Sequence, residues 1–578
     1  MTNMEFFHSF CKINCIFSRK NCNIPWSENY ISNSVPKENS SARQFSYLST
    51  KKAGLSEKVL FLRFMNKTST IKHLLAKPFC ENLNVFAAQY LCIAVVDLVC
   101  NLFSGKALFA LQRAGMSVAV AYIVTFVFGL FKSGKASKAI GSVLCILGAF
   151  NAVVDIFSFR ILGCNFAQDC ISAVAATNPV ETKGFLQSYF DVITIGACAV
   201  TLFAIRKCYN AISGLDTSKP CRALKWSLSL LTVLSLSLWA VLPKEKHDGL
   251  YYNKLFLILS YKPVVIEDHP AGEYVLCTDG EQPDCIVLVI GESFAKSHAS
   301  TFGYGRNTTP RLDSMAGEGV VFPYSNAFSA WPRTVESMLM MLSSCTSDTF
   351  SEYSDRKVDF LLDVMRAAGY RTFWFSNQNP GNASENAVAR IAAKADTVVM
   401  MPPPTFTQKA LDECLLPPIK ALADSCTAKC FAIVHMLGQH EAFRDRYPSS
   451  FDRFKPDKAF SRKSRIIAEY DNAVLYNDYV VSTIMETFAD RDAVVLFVPD
   501  HGLDVFESSP HFVGHAKLSD PASLATGLRI PMYVFVSGEF SGKYPLKLRK
   551  IRSMSNGKFT TDRLMDYILE LAGIHGSV

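Results

Sequence analysis

The run "IVLVIGES" (286–293) is apolar and rich in β-branched residues until it ends in glycine, glutamate and serine, and "AVVLFVPDHG" (493–502) repeats this arrangement with Asp500 and His501. Short apolar runs of this composition are typical of strands buried on both faces of a sheet. In both runs the polar residues begin where the apolar residues stop. We therefore expect two buried strands whose ends present Glu292, Asp500 and His501.

Three more apolar runs occur in the second half of the chain, and segments with helical periodicity separate them. The additional predicted strands are 371–376, 430–434 and 530–536, and the predicted helices are 334–343, 357–368, 385–394 and 464–489. Strands that alternate with helices favour a mostly parallel sheet with helices on both faces. From about residue 284 onwards we therefore expect an α/β domain with a mostly parallel sheet.

Glu292, Asp500 and His501 are expected to lie close together in such a fold, because the carboxyl ends of parallel strands meet at one edge of the sheet. Zinc and manganese both accept carboxylate oxygens and imidazole nitrogens as ligands. Either motif alone is weak evidence, since acids and glycines after strands are common. Together the two motifs predict a metal site with an open coordination position.

Thr334 stands at the junction of a polar and an apolar segment in "SAWPRTVESMLMML" (329–342). One interpretation is that its hydroxyl caps a helix by accepting from the free amides of the first turn. The other is that Thr334 is a nucleophile: a helix N-terminus attracts phosphate oxygens, and a metal would lower the pKa of the hydroxyl. Both interpretations place Thr334 at the same point, and local sequence does not separate them.

Further histidines follow the predicted strands. "HMLGQHEAF" supplies His435 and His440, and "HFVGHAK" supplies His511 and His515. A single histidine is most often a structural residue. Several histidines at the strand ends of one sheet favour a second metal ion or a general acid.

The first half of the chain predicts a membrane domain. The whole chain has 578 residues, which is too long for one ordinary hydrophobic core, and 49% of these residues are hydrophobic. Five apolar stretches are long enough to cross a bilayer, namely 84–103, 107–131, 139–161, 184–205 and 224–242. Three of these stretches carry an acid, and we expect a solvated or helix-paired role for Asp97, Asp155 and Asp191.

Charge orients these predicted spans. Residues 1–80 carry 12 Lys and Arg against four Asp and Glu, an excess that equals the +8 net charge of the whole chain. The connections at 132–138 and 206–225 are also basic, and basic loops remain cytoplasmic. The N-terminus is therefore predicted to be cytoplasmic and everything after about residue 243 to be exported. No nucleic-acid-binding motif accompanies the positive charge.

Four segments follow from this organisation. The predicted segments are a basic, poorly ordered cytoplasmic stretch (1–80), a five-helix transmembrane domain (81–243), an interfacial linker helix (244–283) and a periplasmic catalytic domain (284–578). The chain has 18 cysteines, and an even number on the exported side suits disulfides in an oxidising compartment. Proximity in sequence favours the pairs Cys277–Cys285 and Cys426–Cys430.

The ordered motifs of the chain resemble those of the bacterial phosphoethanolamine transferases, which are sulfatase-like members of the alkaline phosphatase superfamily. The resemblance covers roughly residues 84–575. Its motifs are "GESFAKSHASTFGYGRNTTPRLD" (291–313), the threonine before an apolar helix, "SNQ" (376–378), "GQH" (438–440), and "DHG" followed by "GH". The exported motif "TNPVE" (177–181) also belongs to it.

The resemblance implies roles for individual residues. Glu292, Thr334, Asp500 and His501 match the ligands of the catalytic zinc, with Thr334 as nucleophile. His440 and His515 match the histidines on the substrate side, and "GH" favours His515 over His511. Asn377 and Gln378 match substrate-pocket residues of the subgroups that do not act on lipid A, and Thr177 and Glu181 match residues near the lipid donor. Zinc is the expected cofactor, with room for a second ion, ahead of manganese.

The implied reaction transfers phosphoethanolamine from phosphatidylethanolamine to a lipopolysaccharide core, lipid A or a periplasmic glucan. The chain lacks the Ser-Cys-Gly-Thr series typical of lipid A enzymes, which favours the other acceptors. It has "DHGLD" where the family often has "DHGE", so Leu503 replaces an acid that Asp504 could supply. Sulfatase activity requires a Cys or Ser two residues before a proline, in a C/S-x-P-x-R series that forms formylglycine. Ser329 stands three residues before Pro332, so the spacing does not fit this activity. A phosphoglycerol transferase of the lipoteichoic acid type and an inactive envelope scaffold remain as alternatives.

Overall fold

A computed structural model provides the coordinates. It describes residues 83–90, a set of positions between 118 and 166, 192–213, 274, 276–350, 358–378, 387–402, 411–425, 427–457, 461–510, 512–516 and 520–575. The predicted segment 1–80, the donor-side residues Thr177 and Glu181, and His511 lie outside the described residues. Among the residues described, no helix is both long and apolar enough to span a bilayer.

A seven-stranded sheet organises the described C-terminal region, in the order β3-β11-β8-β2-β7-β5-β6. Its strands are β2 (Cys285–Gly291), β3 (Val321–Pro323), β5 (Arg371–Ser376), β6 (Thr397–Met400), β7 (Cys430–His435), β8 (Ala493–Pro499) and β11 (Tyr533–Val536). The five strands from β8 to β6 are mutually parallel, whereas β11 runs antiparallel to β8 and β3. The prediction of a mostly parallel sheet is therefore confirmed.

Three two-stranded sheets complete the strand set. Their strands are β1 (Cys277–Thr278) with β13 (Ile574–His575), β9 (Asp504–Val505) with β10 (Val513–Gly514), and β4 (Asn326–Phe328) with β12 (Lys558–Thr560). The strand β1 falls within the segment 244–283 for which the sequence predicted a linker helix. By pairing with β13, it joins that end of the linker to the C-terminal end of the chain.

Helices from residue 310 onwards pack on both faces of the central sheet. The named α-helices of the described residues are α1 (Leu83–Tyr90), α2 (Val192–Ser213), α3 (Pro310–Gly317), α4 (Thr334–Met341), α5 (Leu361–Ala367), α6 (Ala387–Ala392), α7 (Leu416–Ser425), α8 (Arg462–Thr487), α9 (Pro521–Leu528), α10 (Gly538–Lys543), α11 (Pro545–Ser555) and α12 (Leu564–Leu571). Of these, α1 and α2 fall within or overlap predicted spans. Residues 149–159 are also helical and include Asp155, which is buried.

The core is divided by β2, whose side chains alternate between two hydrophobic clusters. Leu288 faces a cluster that includes the apolar part of α4, and Val289 faces a cluster that includes the buried side of α8. All seven residues of β2 are buried. Burial on both faces explains why the strand reads as a continuous apolar run.

The predicted disulfide Cys277–Cys285 is wrong. Cys277 is exposed, Cys285 is buried, and both thiols are free. The sheet register instead places Cys285 beside Cys430, on the neighbouring strand β7. Sequence proximity failed here because parallel strands bring distant residues together. The other predicted pair includes Cys426, which lies outside the described residues.

Candidate active site

A left-handed turn follows β2 and orients Glu292. Ser293 has a φ of 57°, which is uncommon for a residue with a side chain. Its hydroxyl donates to Glu292 Oε1 at 2.6 Å, and its amide donates to Asp500 Oδ1 at 3.1 Å. The Asp500 amide in turn donates to the Gly291 carbonyl at 2.9 Å. The ends of β2 and β8 are thereby fastened together at the edge where both acids emerge.

His501 presents one nitrogen to the acids. Its Nδ1 lies 2.7 Å from the Gly502 carbonyl oxygen, which can only accept, so Nδ1 carries the proton. In the neutral ring this leaves the lone pair on Nε2. That nitrogen lies 3.5 Å from Glu292 Oε1 and 3.4 Å from Asp500 Oδ2. A lone pair between two carboxylate oxygens favours a cation at their centre.

Thr334 is the first residue of α4, and its hydroxyl points into this group. Thr334 Oγ1 lies 3.4 Å from Glu292 Oε2 and 3.4 Å from His501 Nε2. The N-cap residue is Arg333, in extended conformation, and no described side chain caps α4. The hydroxyl therefore faces the strand-end ligands and not the amides of its own helix, as the nucleophile interpretation requires.

The distances within this group fit zinc. A tetrahedral zinc ion with bonds of about 2.0–2.1 Å separates its ligand atoms by about 3.3–3.4 Å. The measured separations from His501 Nε2 to the Glu292, Asp500 and Thr334 oxygens are 3.5, 3.4 and 3.4 Å. Asp500 Oδ2 is buried and accepts no hydrogen bond within the described structure. An oxygen in that position is explained by a metal bond.

His515 lies at the same place. A ligand atom of His515 lies within 4.8 Å of those of Glu292 and His501, and its ring centre is 4.8 Å from that of His501. Burial lowers the pKa of His515 well below its usual range, and the positive charge of Arg333 lowers it further. His515 is therefore neutral at neutral pH, and it can serve as a ligand or a proton acceptor. His440, which follows β7 in "GQH", is close enough to affect it.

The two predicted pocket residues occupy different environments. Gln378 Nε2 donates to Glu292 Oε2 at 3.3 Å and to the Met436 carbonyl at 3.0 Å, which places its amide beside the candidate metal ligand Glu292. Asn377 is 4% exposed, and its Nδ2 donates to Asp412 Oδ1 at 2.8 Å. The structure thus brings Gln378 to the site and directs the Asn377 side chain behind it.

Sequence reasoning missed Asp412. This buried carboxylate accepts from the amides of Leu437 at 2.8 Å and Gly438 at 2.9 Å, and so holds the loop that carries His440. Burial raises its pKa, and the bonds from Asn377 and the two amides oppose the rise. A lone aspartate at the start of a short 3-10 helix gives no sequence signal for this role.

Ser329 and Ser337 were also missed. The Ser337 hydroxyl donates to the Asp500 carbonyl oxygen, and the Ser329 hydroxyl lies 2.6 Å from both that oxygen and the Trp331 carbonyl oxygen. The segment containing Thr334 is thereby tied to the end of β8. Asp504, considered as a replacement for the missing acid at 503, serves its own loop instead. It accepts from the amides of Glu507 and Ser508 at 3.0 and 3.2 Å.

Two phosphoethanolamine transferases of Escherichia coli are similar to this chain in sequence. The chain is 25% identical to the phosphoethanolamine transferase EptC of Escherichia coli strain K12 over 479 residues, 77% of this chain and 82% of that protein. It is 22% identical to EptA of the same strain over 435 residues, 70% of this chain and 77% of that protein. Both relatives are thus matched over most of their length.

A solved structure shares the fold over most of the chain. The integral membrane protein lipooligosaccharide phosphoethanolamine transferase A (EptA) from Neisseria meningitidis aligns with a TM-score of 0.61 at 17% identity, over 87% of this chain and 95% of that chain. The family model described as Sulfatase matches residues 284–574, which is half of the chain and contains every ligand discussed above. The chain therefore belongs to the sulfatase family.

Proposed function

We propose that this protein is a phosphoethanolamine transferase of the bacterial inner membrane. It would move phosphoethanolamine from phosphatidylethanolamine to a cell-envelope glycan through a phosphorylated threonine. The observation that carries the proposal is the position of the Thr334 hydroxyl, 3.4 Å from both Glu292 and His501. The similarity to EptC and EptA, named phosphoethanolamine transferases, supports the same reaction.

Glu292, Thr334, Asp500 and His501 are proposed to hold one zinc ion. The ion would lower the pKa of the threonine hydroxyl and offset negative charge on the phosphoryl oxygens. The separations of 3.4–3.5 Å around His501 Nε2 support zinc at this position. A second ion, if bound, would be held by His440 and His515.

The chain's own residues would divide the reaction into two displacements. Thr334 Oγ1 would react in its deprotonated form: it bonds to the donor phosphorus, the bond from phosphorus to the diacylglycerol oxygen breaks, and that oxygen takes up a proton from His440. An acceptor hydroxyl would then attack the phosphorus and give its proton to His515, which is neutral, while the bond from phosphorus to Thr334 Oγ1 breaks and the deprotonated threonine is restored. Proton exchange with water would return the two histidines to their starting states.

Other residues are proposed to bind the two substrates. Gln378, whose amide lies beside Glu292, would orient the phosphoryl group, and Asn377 would shape the pocket from behind. By the family resemblance, Thr177 and Glu181 would lie near the lipid donor. The preferred acceptors are the lipopolysaccharide core and periplasmic glucans, because the chain lacks the lipid A series before Thr334.

The proposed topology has a cytoplasmic segment (1–80), five spans (81–243), an interfacial linker (244–283) and a periplasmic catalytic domain (284–578). The basic loops support this orientation. Large apolar side chains are exposed on α2, including Val192, which is 85% exposed, and Phe203, which is 63% exposed. Surfaces of this kind suit contact with lipid. A lipid donor also requires that the site remain at the membrane.

The decisive experiment compares Thr334→Ala with Thr334→Ser in the full-length chain. We expect the alanine variant to lose transfer to envelope glycans, measured by mass spectrometry, and the serine variant to retain part of it. Transfer at the wild-type level by the alanine variant would contradict the assignment of Thr334 as the nucleophile. Labelled phosphatidylethanolamine and phosphatidylglycerol should be offered in parallel, since use of only the second donor would identify a phosphoglycerol transferase.

A further inference from the structure

The turn that carries Glu292 is held from outside the metal centre. Ser293 adopts a left-handed conformation that disfavours side chains, so the turn needs external bonds to keep it. The Tyr470 hydroxyl supplies two of them. It donates to the Ser293 carbonyl at 2.8 Å and accepts from the Ala295 amide at 2.7 Å.

Tyr470 is itself rigidly placed. It belongs to α8, its side chain is fully buried, and its ring contacts His298 and Phe443 edge-on at centroid distances of 5.0 Å. Burial holds its pKa well above the usual range, so the hydroxyl keeps its proton and remains a donor at every working pH. The hydroxyl of this buried tyrosine is thereby directed to the backbone of the turn.

The neighbouring Asp471 connects Tyr470 to the signature run "GYGRNTTPRL" (303–312). Its carboxylate oxygens lie 2.7 Å from His298 Nδ1 and accept from the Tyr304 hydroxyl at 2.9 Å and Arg306 at 2.8 Å. Asp471 is fully buried, whereas Tyr304 and Arg306 are part-exposed. The run is therefore docked on α8 beside the residue that braces the metal-ligand turn.

A second acid of α8 continues this docking. Asp478 accepts from the amides of Arg311 at 3.0 Å and Leu312 at 2.9 Å, at the first turn of α3. The Arg311 guanidinium also pairs with Glu486, eight residues after Asp478 on the same helix. The motif that marks the family thus forms a structural clamp with α8, and its link to the chemistry passes through Tyr470.

We propose that Tyr470 is a positioning residue that fixes the left-handed turn at Ser293 and thereby sets the metal affinity of the Glu292 carboxylate. The inference rests on the proposed zinc centre. The Tyr470 hydroxyl bonds to two backbone atoms, and it acts by locking the backbone between Glu292 and Ala295. Loss of this hydroxyl would let the turn relax and move the carboxylate away from Thr334 and His501.

The test measures zinc affinity of the detergent-solubilised full-length chain by competition with a chromophoric chelator. Tyr470→Phe should weaken zinc binding about tenfold, as loss of partners around metal ligands does. The matched control is Tyr370→Phe, which removes a buried hydroxyl that donates to the Pro283 carbonyl at 3.0 Å. Tyr370 precedes the N-terminal end of β5, whereas the site lies at the C-terminal end of that strand. Tyr370→Phe should bind zinc within about twofold of wild type, by the independence of distant sites.

Repeating the comparison in a Ser293→Gly background removes the strain of the turn, because glycine adopts a positive φ without penalty. The bond from the Ser293 hydroxyl to Glu292 is then absent from both proteins that are compared, so it does not contribute to their difference. There the Tyr470→Phe effect should shrink to about threefold, since the two positions are coupled. This background also carries the test should Tyr470→Phe alone not fold. Equal zinc affinity with and without the Tyr470 hydroxyl in a folded chain overturns the inference. A wild-type chain that binds no zinc overturns the proposed metal centre instead.

Discussion

Gly438 lies directly against the backbone of Glu292: a Cβ atom on Gly438 would stand 2.8 Å from the Glu292 nitrogen and 3.0 Å from its carbonyl oxygen. The φ of Gly438 is +49°, and the next amide, of Gln439, donates to the Glu292 carbonyl at 3.0 Å. The loop that carries His440 can therefore pack this closely against the turn at Glu292 only because Gly438 has no side chain.

We expect Gly438→Ala to separate this loop from Glu292. Two effects combine, a left-handed strain of about 1–2 kcal/mol and a backbone clash that no rotamer can relieve. Zinc affinity and transfer activity should both fall, measured by chelator competition and by product formation. Gly303→Ala is the control, because Gly303 has a φ of +94° and open space around it. Equal losses in the two variants would contradict the role of close packing.

Asp500→Asn should not lower the stability of the metal-free chain, although it removes a proposed metal ligand. Asp500 Oδ1 accepts from the amides of Ser293 and His501, and an asparagine oxygen keeps both bonds. The other oxygen faces His501 Nε2 at 3.4 Å, where an amide N–H would donate. We expect the metal-free variant to be at least as stable as metal-free wild type, by up to about 1 kcal/mol.

With zinc present, wild type should become more stable than the Asp500→Asn variant. Wild type gains about 2.7 kcal/mol at a zinc concentration one hundred times its Kd. The Asp500→Asn variant should gain almost nothing at that concentration, because it has lost a charged ligand. Melting temperatures with zinc and with chelator provide the measurement. An unchanged zinc-induced shift in the variant would show that Asp500 is not a ligand.

Ser329 and Ser337 share one acceptor, the carbonyl oxygen of Asp500. Either serine alone can satisfy this buried oxygen, so each single alanine variant should lose about 1 kcal/mol of unfolding free energy. The double variant leaves the oxygen unpaired and should lose about 1 kcal/mol more than the sum. Denaturation of the four proteins measures this coupling. Strict additivity would mean that the two bonds act independently.

Asp478 should give the chain a specific pH dependence. Burial raises its pKa to about 7, although the amides of Leu312 and Arg311 lower it. The unfolded carboxyl titrates near pH 3.9, so the stabilising contribution is complete below about pH 4 and is lost as the pH rises through about 7. The loss amounts to at most about 4 kcal/mol.

Asp478→Asn does not titrate and provides the reference. The unfolding free energy of wild type minus that of the variant should decrease between pH 4 and pH 8, measured by denaturation at several pH values. A difference that is constant with pH would mean that Asp478 is ionised in the folded chain throughout this range.

The strands that were easiest to predict are those buried on both faces. The predicted strand 371–376 coincides with Arg371–Ser376, and the predicted strand 286–290 extends by one residue at each end to Cys285–Gly291. The half-exposed edge strand Thr397–Met400 was missed, because its sequence lacks a long apolar run. The antiparallel direction of β11 depends on how the chain returns to the sheet, and a local pattern carries no such information.

The grouping of Glu292, Asp500 and His501 was predictable because strand ends of a parallel sheet converge. The supporting residues were not. Ser329 reaches Asp500 across 171 positions, and Tyr470 reaches Ser293 across 177. Both bonds end on backbone atoms, which every residue possesses, so neither partner is marked in the sequence. The same ambiguity defeated the Cys277–Cys285 prediction, since register across strands outweighs distance along the chain.

The Thr334 hydroxyl contacts Glu292 and His501, and the extended N-cap residue Arg333 makes no side-chain capping bond to α4. The proposed nucleophile can consequently be removed without loosening the helix that presents it. A chain lacking only this hydroxyl should keep its shape while stalling before the first displacement. Such a stalled chain would hold donor lipid and acceptor glycan unreacted, and would allow the natural acceptor to be captured from the cell envelope and identified.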